Sequence, residues 1–222
     1  GCGMVFQLQN MGNNITCFIS YSLFSIYMKK TNKYIIGFLL LFWSISFYAK
    51  TEPVDYVNPL IGTQSKYSLS HGNTYPAIAM PWGMTFWMPQ TAKMGDGWAY
   101  SYEANKIRGF KQTHQPSPWI NDYGQFTLMP ITGNIVFDED ARASWFSHKA
   151  EVAKPYCYKV YLADHDVTTE FAPTERAVIF RFTFPESDQS SIIIDALDGG
   201  SQVKIIPEEN KIIGYTTKNH GG

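Results

Sequence analysis

The chain has 222 residues, with 18 basic against 19 acidic side chains, a formal net charge of −1 and a mean hydropathy of −0.19. Such a balance lacks the basic footprint that a phosphate backbone demands, and no nucleic-acid partner is expected. Cysteine is scarce, with Cys2, Cys17 and Cys157 only.

Residues 1–27 contain no charged side chain and precede a better start at Met28. They are expected to be upstream translation outside the native protein. From Met28 a secretory signal peptide is predicted over residues 28–49: Lys29, Lys30 and Lys33 form the basic region, residues 34–45 the apolar core, and Ala49 a small residue at the cleavage point. Phe47 is bulky for the minus-three position, which leaves the exact cleavage point open. The apolar run falls short of the roughly 20 residues of a membrane span, so no stable span is expected once the signal is removed. An uncleaved N-terminal anchor is the alternative. The localisation implied is periplasmic or secreted.

The portion from residue 50 to 222 then carries 15 basic and 19 acidic groups, because three lysines and no acid lie before it. Cys157 is the only cysteine left in it, so an intrachain disulfide and a thiolate zinc site are both excluded. Cys157 is expected to be a buried strand residue and not a reactive thiol. The sequence stops at Asn219-His220-Gly221-Gly222 directly after a strand-like run, with no helix and no closing element.

Residues 56–130 hold four of the six tryptophans, Trp82, Trp87, Trp98 and Trp119, among His71, Asn73, His114, Gln115, Asn121 and Asp122. Flat apolar rings beside hydrogen-bonding side chains suit a ligand with one apolar face and hydroxylated edges, as a sugar has. The segment is rich in Gly and Pro and reads as a long ordered loop region, a kind that is usually functional. Trp98 and Trp119 are candidate sugar-contacting rings, with burial in a sandwich core as the alternative for each. Trp82 and Trp87 fall in the apolar run 80–88 and are expected in the core. His114 and Gln115 would hydrogen-bond hydroxyls or hold their loop; His71 and Asn73 would touch the ligand or shape the turn at Gly72. Asp122 completes the set.

Downstream, period-two alternation replaces any sustained helical period. Strands are predicted at 125–131 and, after a Thr132-Gly133 turn, at 133–137. Two more, 156–162 and 167–172, flank the turn Asp164-His165-Asp166. The strand 177–184 places Val178, Phe180, Phe182 and Phe184 on one face and Ile179, Arg181 and Thr183 on the other, and Pro185 ends it. A continuous apolar strand at 191–197 stops at Asp198-Gly199-Gly200. The runs 203–206 and 211–216 bracket Pro207-Glu208-Glu209-Asn210 as a hairpin. The fold class is all-β, an antiparallel β-sandwich, over residues 50–222.

Cleavage of a glycosidic bond needs two carboxyl groups across it. The aromatic segment offers Asp96, Glu103 and Asp122, while Asp138, Glu139 and Asp140 read as a solvated turn. No acid/base pair can be assembled from these. His71, His114, His148, His165 and His220 lack metal-motif spacing, and no serine elbow, phosphate loop or dinucleotide fingerprint is present. These residues are equipped to bind and not to catalyse by themselves.

The order Tyr56-Val57-Asn58-Pro59-Leu60-Ile61-Gly62-Thr63, then His71-Gly72-Asn73-Thr74-Tyr75-Pro76 and Pro81-Trp82-Gly83-Met84, resembles the N-terminal domain of glycoside hydrolase family 92. Gly97-Trp98-Ala99-Tyr100, the run from Ile107 to Gln115, and Asn121-Asp122-Tyr123-Gly124-Gln125-Phe126 are similar to that family too, and the match spans 54–222. The resemblance implies an exo-acting, calcium-dependent bacterial α-mannosidase built from this β-sandwich and a larger α/α toroid, with the active site between them. It implies inverting chemistry on mannose-containing glycans, Ca2+ as cofactor, and an acid, a base and most calcium ligands in the second domain, which this chain lacks. No catalytic residue is therefore assigned here. Trp98, His114, Gln115, Trp119, Asp122, His71 and Asn73 are assigned to substrate binding.

Where many members read His-Leu-Ser-Gly, this chain reads His114-Gln115-Pro116-Ser117-Pro118-Trp119, which leaves linkage preference open. A stand-alone carbohydrate-binding module and a ligand-free structural sandwich are the competing readings.

Overall fold

A computed structural model of the chain describes residues 2–7, 51–64, 74–93, 99–113, 124, 126–196 and 200–217. Contacts divide the chain into residues 1–8 with 53–222 as one unit and 9–52 as another, and the fold below is that of the first. The segment expected to be a signal peptide, and its cleavage point, lie outside the described residues.

Two four-stranded antiparallel sheets carry the fold. The first is ordered β11 (Ser190–Ala196), β5 (Phe126–Thr132), β4 (Gly109–Thr113), β2 (Phe86–Gln90). The second is ordered β10 (Val178–Thr183), β9 (Val167–Pro173), β8 (Cys157–Leu162), β7 (Val152–Lys154). Their facing side chains make one core: Trp87, Phe110, Phe126 and Leu128 from the first meet Tyr158, Val160, Leu162 and Phe171 from the second. Aromatic edges meet faces within it, with Phe110 5.9 Å from Phe171 and Trp87 5.2 Å from Phe180. This is the all-β antiparallel sandwich that the alternation predicts.

Two smaller sheets complete the unit. A three-stranded sheet runs β1 (Cys2–Gln7), β13 (Lys211–Thr216), β12 (Ser201–Ile206), and a two-stranded one pairs β3 (Lys106–Ile107) with β6 (Ser144–Trp145). The β12–β13 hairpin turns through Pro207–Glu209 and Asn210, which takes φ 48° at its left-handed corner.

Strand β10 follows its sequence closely. Phe180 packs on Trp87 and Phe171, while Ile179 on the opposite face is 70% exposed. Three expectations need correction. Residues 133–137 form no strand: β5 already has β4 and β11 as neighbours. The chain turns away at Gly133 (φ 79°), leaving Ile135 and Phe137 exposed. It leads to a one-turn helix, α1 (Glu139–Arg142), which Asp138 caps by accepting from Ala141 N at 2.8 Å. Secondly, 56–130 is not loop throughout, since β4 is an inner strand of the first sheet and β2 pairs with it at the sheet's edge. Both faces of those strands are covered, which hides the alternation.

Thirdly, Trp82 is not in the core. It is 99% exposed, whereas Trp87 is 4% exposed. Pro81 and Trp82 are the central residues of a turn closed by Gly83 N donating to Met80 O at 2.9 Å, so a proline-led turn overrides the apolar context.

Candidate functional site

Strand register sorts the first sheet into two faces, because directly opposed residues share a face. Phe110 opposes Pro89 and Leu128, and these line the sandwich core. Lys111 opposes Met88 and Thr127, and Gln90 opposes Gly109, on the outer face. That outer face is polar yet covered: Gln90, Lys111, Thr113 and Thr127 are each at most 1% exposed. Thr127 Oγ1 donates to Gln90 Oε1, and Gln90 Nε2 donates to Ala92 O at 2.9 Å. A buried polar row of this kind holds its hydrogen bonds in a low-dielectric setting and fixes geometry.

What covers the row is a second apolar cluster of Tyr75, Met88, Ala99 and Tyr100, with Leu60, Ala77 and Tyr102 packed against it. Tyr75 Oη and Thr113 Oγ1 are 3.2 Å apart, both buried. Burial pushes the Tyr100 hydroxyl well above its ordinary value, with the Glu151 charge as the second cause. Tyr102 stacks on His148 at 4.0 Å, and His148 bonds Glu151 through Nδ1 (2.5 Å) and Tyr102 O through Nε2 (2.8 Å).

The motif at 58–63 joins the same cover. Asn58 Oδ1 accepts from Leu60 N at 2.9 Å, and Thr63 N donates to Leu60 O at 3.1 Å, so successive turns fold this stretch back. Gly62 sits so close to Thr74 that a Cβ would lie 2.9 Å from Thr74 Oγ1.

Trp98, His114, Gln115, Trp119, Asp122, His71 and Asn73 all lie outside the described residues. Their attachment points do not. Thr74 follows Asn73, Ala99 follows Trp98, Thr113 precedes His114, and Gly124 follows Asp122 by two residues. Three of those roots lie in or beside the Tyr75–Tyr100 cluster. The fourth is fixed against β4. Gly124 has φ 89°, and a Cβ on it would lie 1.9 Å from Gln112 O. Only glycine fits a left-handed residue pressed against a carbonyl. The structure therefore gathers the roots of three separate sequence stretches onto one face of one sheet.

A charged latch secures the root before Trp98. Asp140 Oδ1 accepts from Arg108 Nε and Nη2 at 3.1 and 2.7 Å, and Asp140 Oδ2 pairs with Lys93 Nζ at 2.5 Å. Arg108 also donates to Thr91 O. The hydrogen bonds from Lys93 and then Arg108 hold the Asp140 carboxyl below its ordinary value. Asp138 and Asp140 are exposed, as expected of a solvated turn, but the turn has the added role of anchoring this loop. Arg142 of α1 is buried and donates to Phe137 O at 2.6 Å and to Asp195 of β11.

His165 has a structural role, with Nε2 2.7 Å from Arg142 O and Thr132 N donating to Nδ1 at 3.4 Å. Cys157 is a half-buried residue of β8 whose thiol is raised by burial, which opposes thiolate formation. Among the described residues no three His, Cys, Asp or Glu side chains come together to hold a metal ion. The calcium implied by the resemblance has no ligand set among them. No helix among the described residues is long and apolar enough to cross a membrane.

Sequence reasoning missed Tyr75, Lys111, Thr113 and Thr127, whose importance depends on register. Alternation across β4 would have put Lys111 opposite Phe110, on the far face, but nothing in the sequence shows that the far face is covered.

Comparison with known proteins agrees with this architecture. Residues 56–222 match the model of the glycosyl hydrolase family 92 N-terminal domain. An inverting mannosidase of that family from Bacteroides thetaiotaomicron is similar in structure, with 47% identity and a TM-score of 0.70, over 77% of this chain and 24% of its own. An α-mannosidase of the family from the same organism, in complex with mannoimidazole, shares 35% identity at a TM-score of 0.57, over 64% of this chain and 19% of its own. An uncharacterized secreted glycosidase of Arthroderma benhamiae is 22% identical over 160 residues, which is 20% of its length. This chain thus spans about a quarter or less of these relatives, and it belongs to glycosyl hydrolase family 92, as the N-terminal domain of that family.

Proposed function

We propose that this chain is the N-terminal domain of an exported α-mannosidase that releases terminal α-linked mannose with inversion, and that it supplies one wall of the sugar site. The single observation supporting this most is the gathering of three loop roots over the outer face of the first sheet. Those roots are the ones that carry Asn73, Trp98 and His114 in sequence. Rings and hydrogen-bonding side chains drawn from three separate stretches can grip a mannose only when their attachment points are held together.

Trp98 and Trp119 offer apolar faces to the sugar ring, and His71, Asn73, His114, Gln115 and Asp122 bind its hydroxyls. The acid that protonates the leaving oxygen and the base that activates water come from outside this domain, together with most of the calcium ligands. The domain alone is inactive on this reading, and positioning is its contribution to the rate.

Proton NMR of the full-length enzyme acting on an α-mannoside tests the reading. Release of β-mannose as the first-formed anomer is expected. First-formed α-mannose would contradict inversion, and no hydrolysis of any α-mannoside would contradict the activity itself.

A further inference from the structure

Two segments of the described chain meet at the turn between β7 and β8. Asp55 accepts from Lys154 Nζ at 2.9 Å through its carbonyl and from Tyr156 Oη at 3.0 Å through its carboxylate. Ala79 N donates to Pro155 O at 3.1 Å. The two segments bring Tyr56, Val57, Met80, Trp82 and Met84 to the surface around one turn, and all five are exposed. Scattered exposed apolar residues are ordinary, whereas a local group of large ones marks an interaction surface.

Trp82 stands out within the group. It is 99% exposed with φ 61°, at the turn position that glycine or asparagine normally fills. A bulky residue held in left-handed backbone with its ring in water is disfavoured twice over, and strain of this kind points to a function outside the fold.

We propose that this face docks the remainder of a longer glycosidase chain, with the Trp82 ring as its anchor. The proposal rests on the reading of this chain as the N-terminal domain of a larger enzyme. The occupant follows from length: the similar inverting mannosidase aligns over 24% of its chain, so about three quarters of it lies beyond this domain and has to meet it somewhere. Chemistry agrees. Residues 80–84 read Met-Pro-Trp-Gly-Met and offer no side-chain hydrogen-bonding group other than the indole N–H. A sugar needs polar partners at its edges, whereas another protein surface supplies an apolar pocket for a Trp and Met group.

Hydroxyl-radical footprinting of the full-length enzyme, read by mass spectrometry, tests this, because Trp and Met are the most reactive reporters in it. Oxidation of Trp82, Met80 and Met84 about tenfold slower than in the denatured chain is expected for a ring seated in a protein interface. Exposed Phe137, elsewhere on the domain, reacts at an unprotected rate. Trp82→Gly keeps the turn, since glycine adopts this backbone freely, and it is expected to raise oxidation of Met80 and Met84. Oxidation of Trp82 at the denatured rate in folded enzyme overturns the proposal. So does protection that disappears on dilution as light scattering reports dimers separating, which assigns the face to a second copy. Mannosidase activity measured on the same sample keeps the two readings separate. An active enzyme with a freely reacting Trp82 refutes the docking alone, and a protected Trp82 in an enzyme inert to mannosides refutes the activity alone.

Discussion

The Tyr75 hydroxyl lies 3.2 Å from the Thr113 hydroxyl, and this contact joins the chain leaving Asn73 to the strand that runs into His114. Both residues are buried, at 4% and 1% exposure, so the bond is shielded from water. It ties two stretches 38 residues apart in sequence at the point where each departs from the sheet. Tyr75→Phe removes it while keeping the ring in the Met88–Tyr100 cluster. The expected loss is about 1 kcal/mol of stability in urea unfolding. A several-fold fall in kcat/KM of the full-length enzyme accompanies it, through misplaced loops.

Gly124→Ala is expected to be the costlier change. The residue has φ 89°, and a methyl group there would overlap Gln112 O. Left-handed strain and displacement of β4 together should cost about 2 kcal/mol or more. Gly133→Ala, at φ 79° with nothing near its Cβ, isolates the strain and should cost about 1 kcal/mol. Thermal unfolding of the two variants side by side checks the difference.

The strand β10 and the sandwich core were legible because hydrophobicity there alternates with period two and each side faces a different medium: Phe180 inward, Ile179 outward. The same signal failed at Ile135 and Phe137, where β5 had no free edge left to pair. It failed at Trp82 because its neighbours Met80 and Met84 are exposed as well, so an apolar run marked a surface and not a core. The polar row of Gln90, Lys111, Thr113 and Thr127 was illegible for the opposite reason. Polar residues on one strand face read as solvent-facing, and only the cover by Tyr75 and Tyr100 shows otherwise. The sugar-binding candidates were read from residue type and family resemblance; only their roots have described geometry.

The Asp140 latch gives a pH dependence of known sign. Lys93 and Arg108 lower the folded-state value of this carboxyl, so its contribution is present above the unfolded value and is lost as pH falls through the lowered folded one. The Tm of wild type should exceed that of Asp140→Asn at neutral pH, and the gap should close in acid. Raised salt should narrow it as well, since the group is solvent-exposed.

Burial raises the Cys157 thiol, so alkylation of a variant with Cys2 and Cys17 replaced by serine should be slower than that of free cysteine at mildly alkaline pH. Its rate should keep climbing to higher pH than the small-molecule thiol shows. A rate profile matching free cysteine would contradict the packing of β8 described above.

The most direct test of the central claim is steady-state kinetics of the full-length enzyme carrying Trp98→Ala or His114→Ala, on an α-mannoside. If this domain forms a wall of the sugar site, each substitution costs about 2–3 kcal/mol of transition-state stabilisation, a fall in kcat/KM of roughly 30- to 150-fold, with unfolding midpoints nearly unchanged. Wild-type kcat/KM in both variants would contradict it.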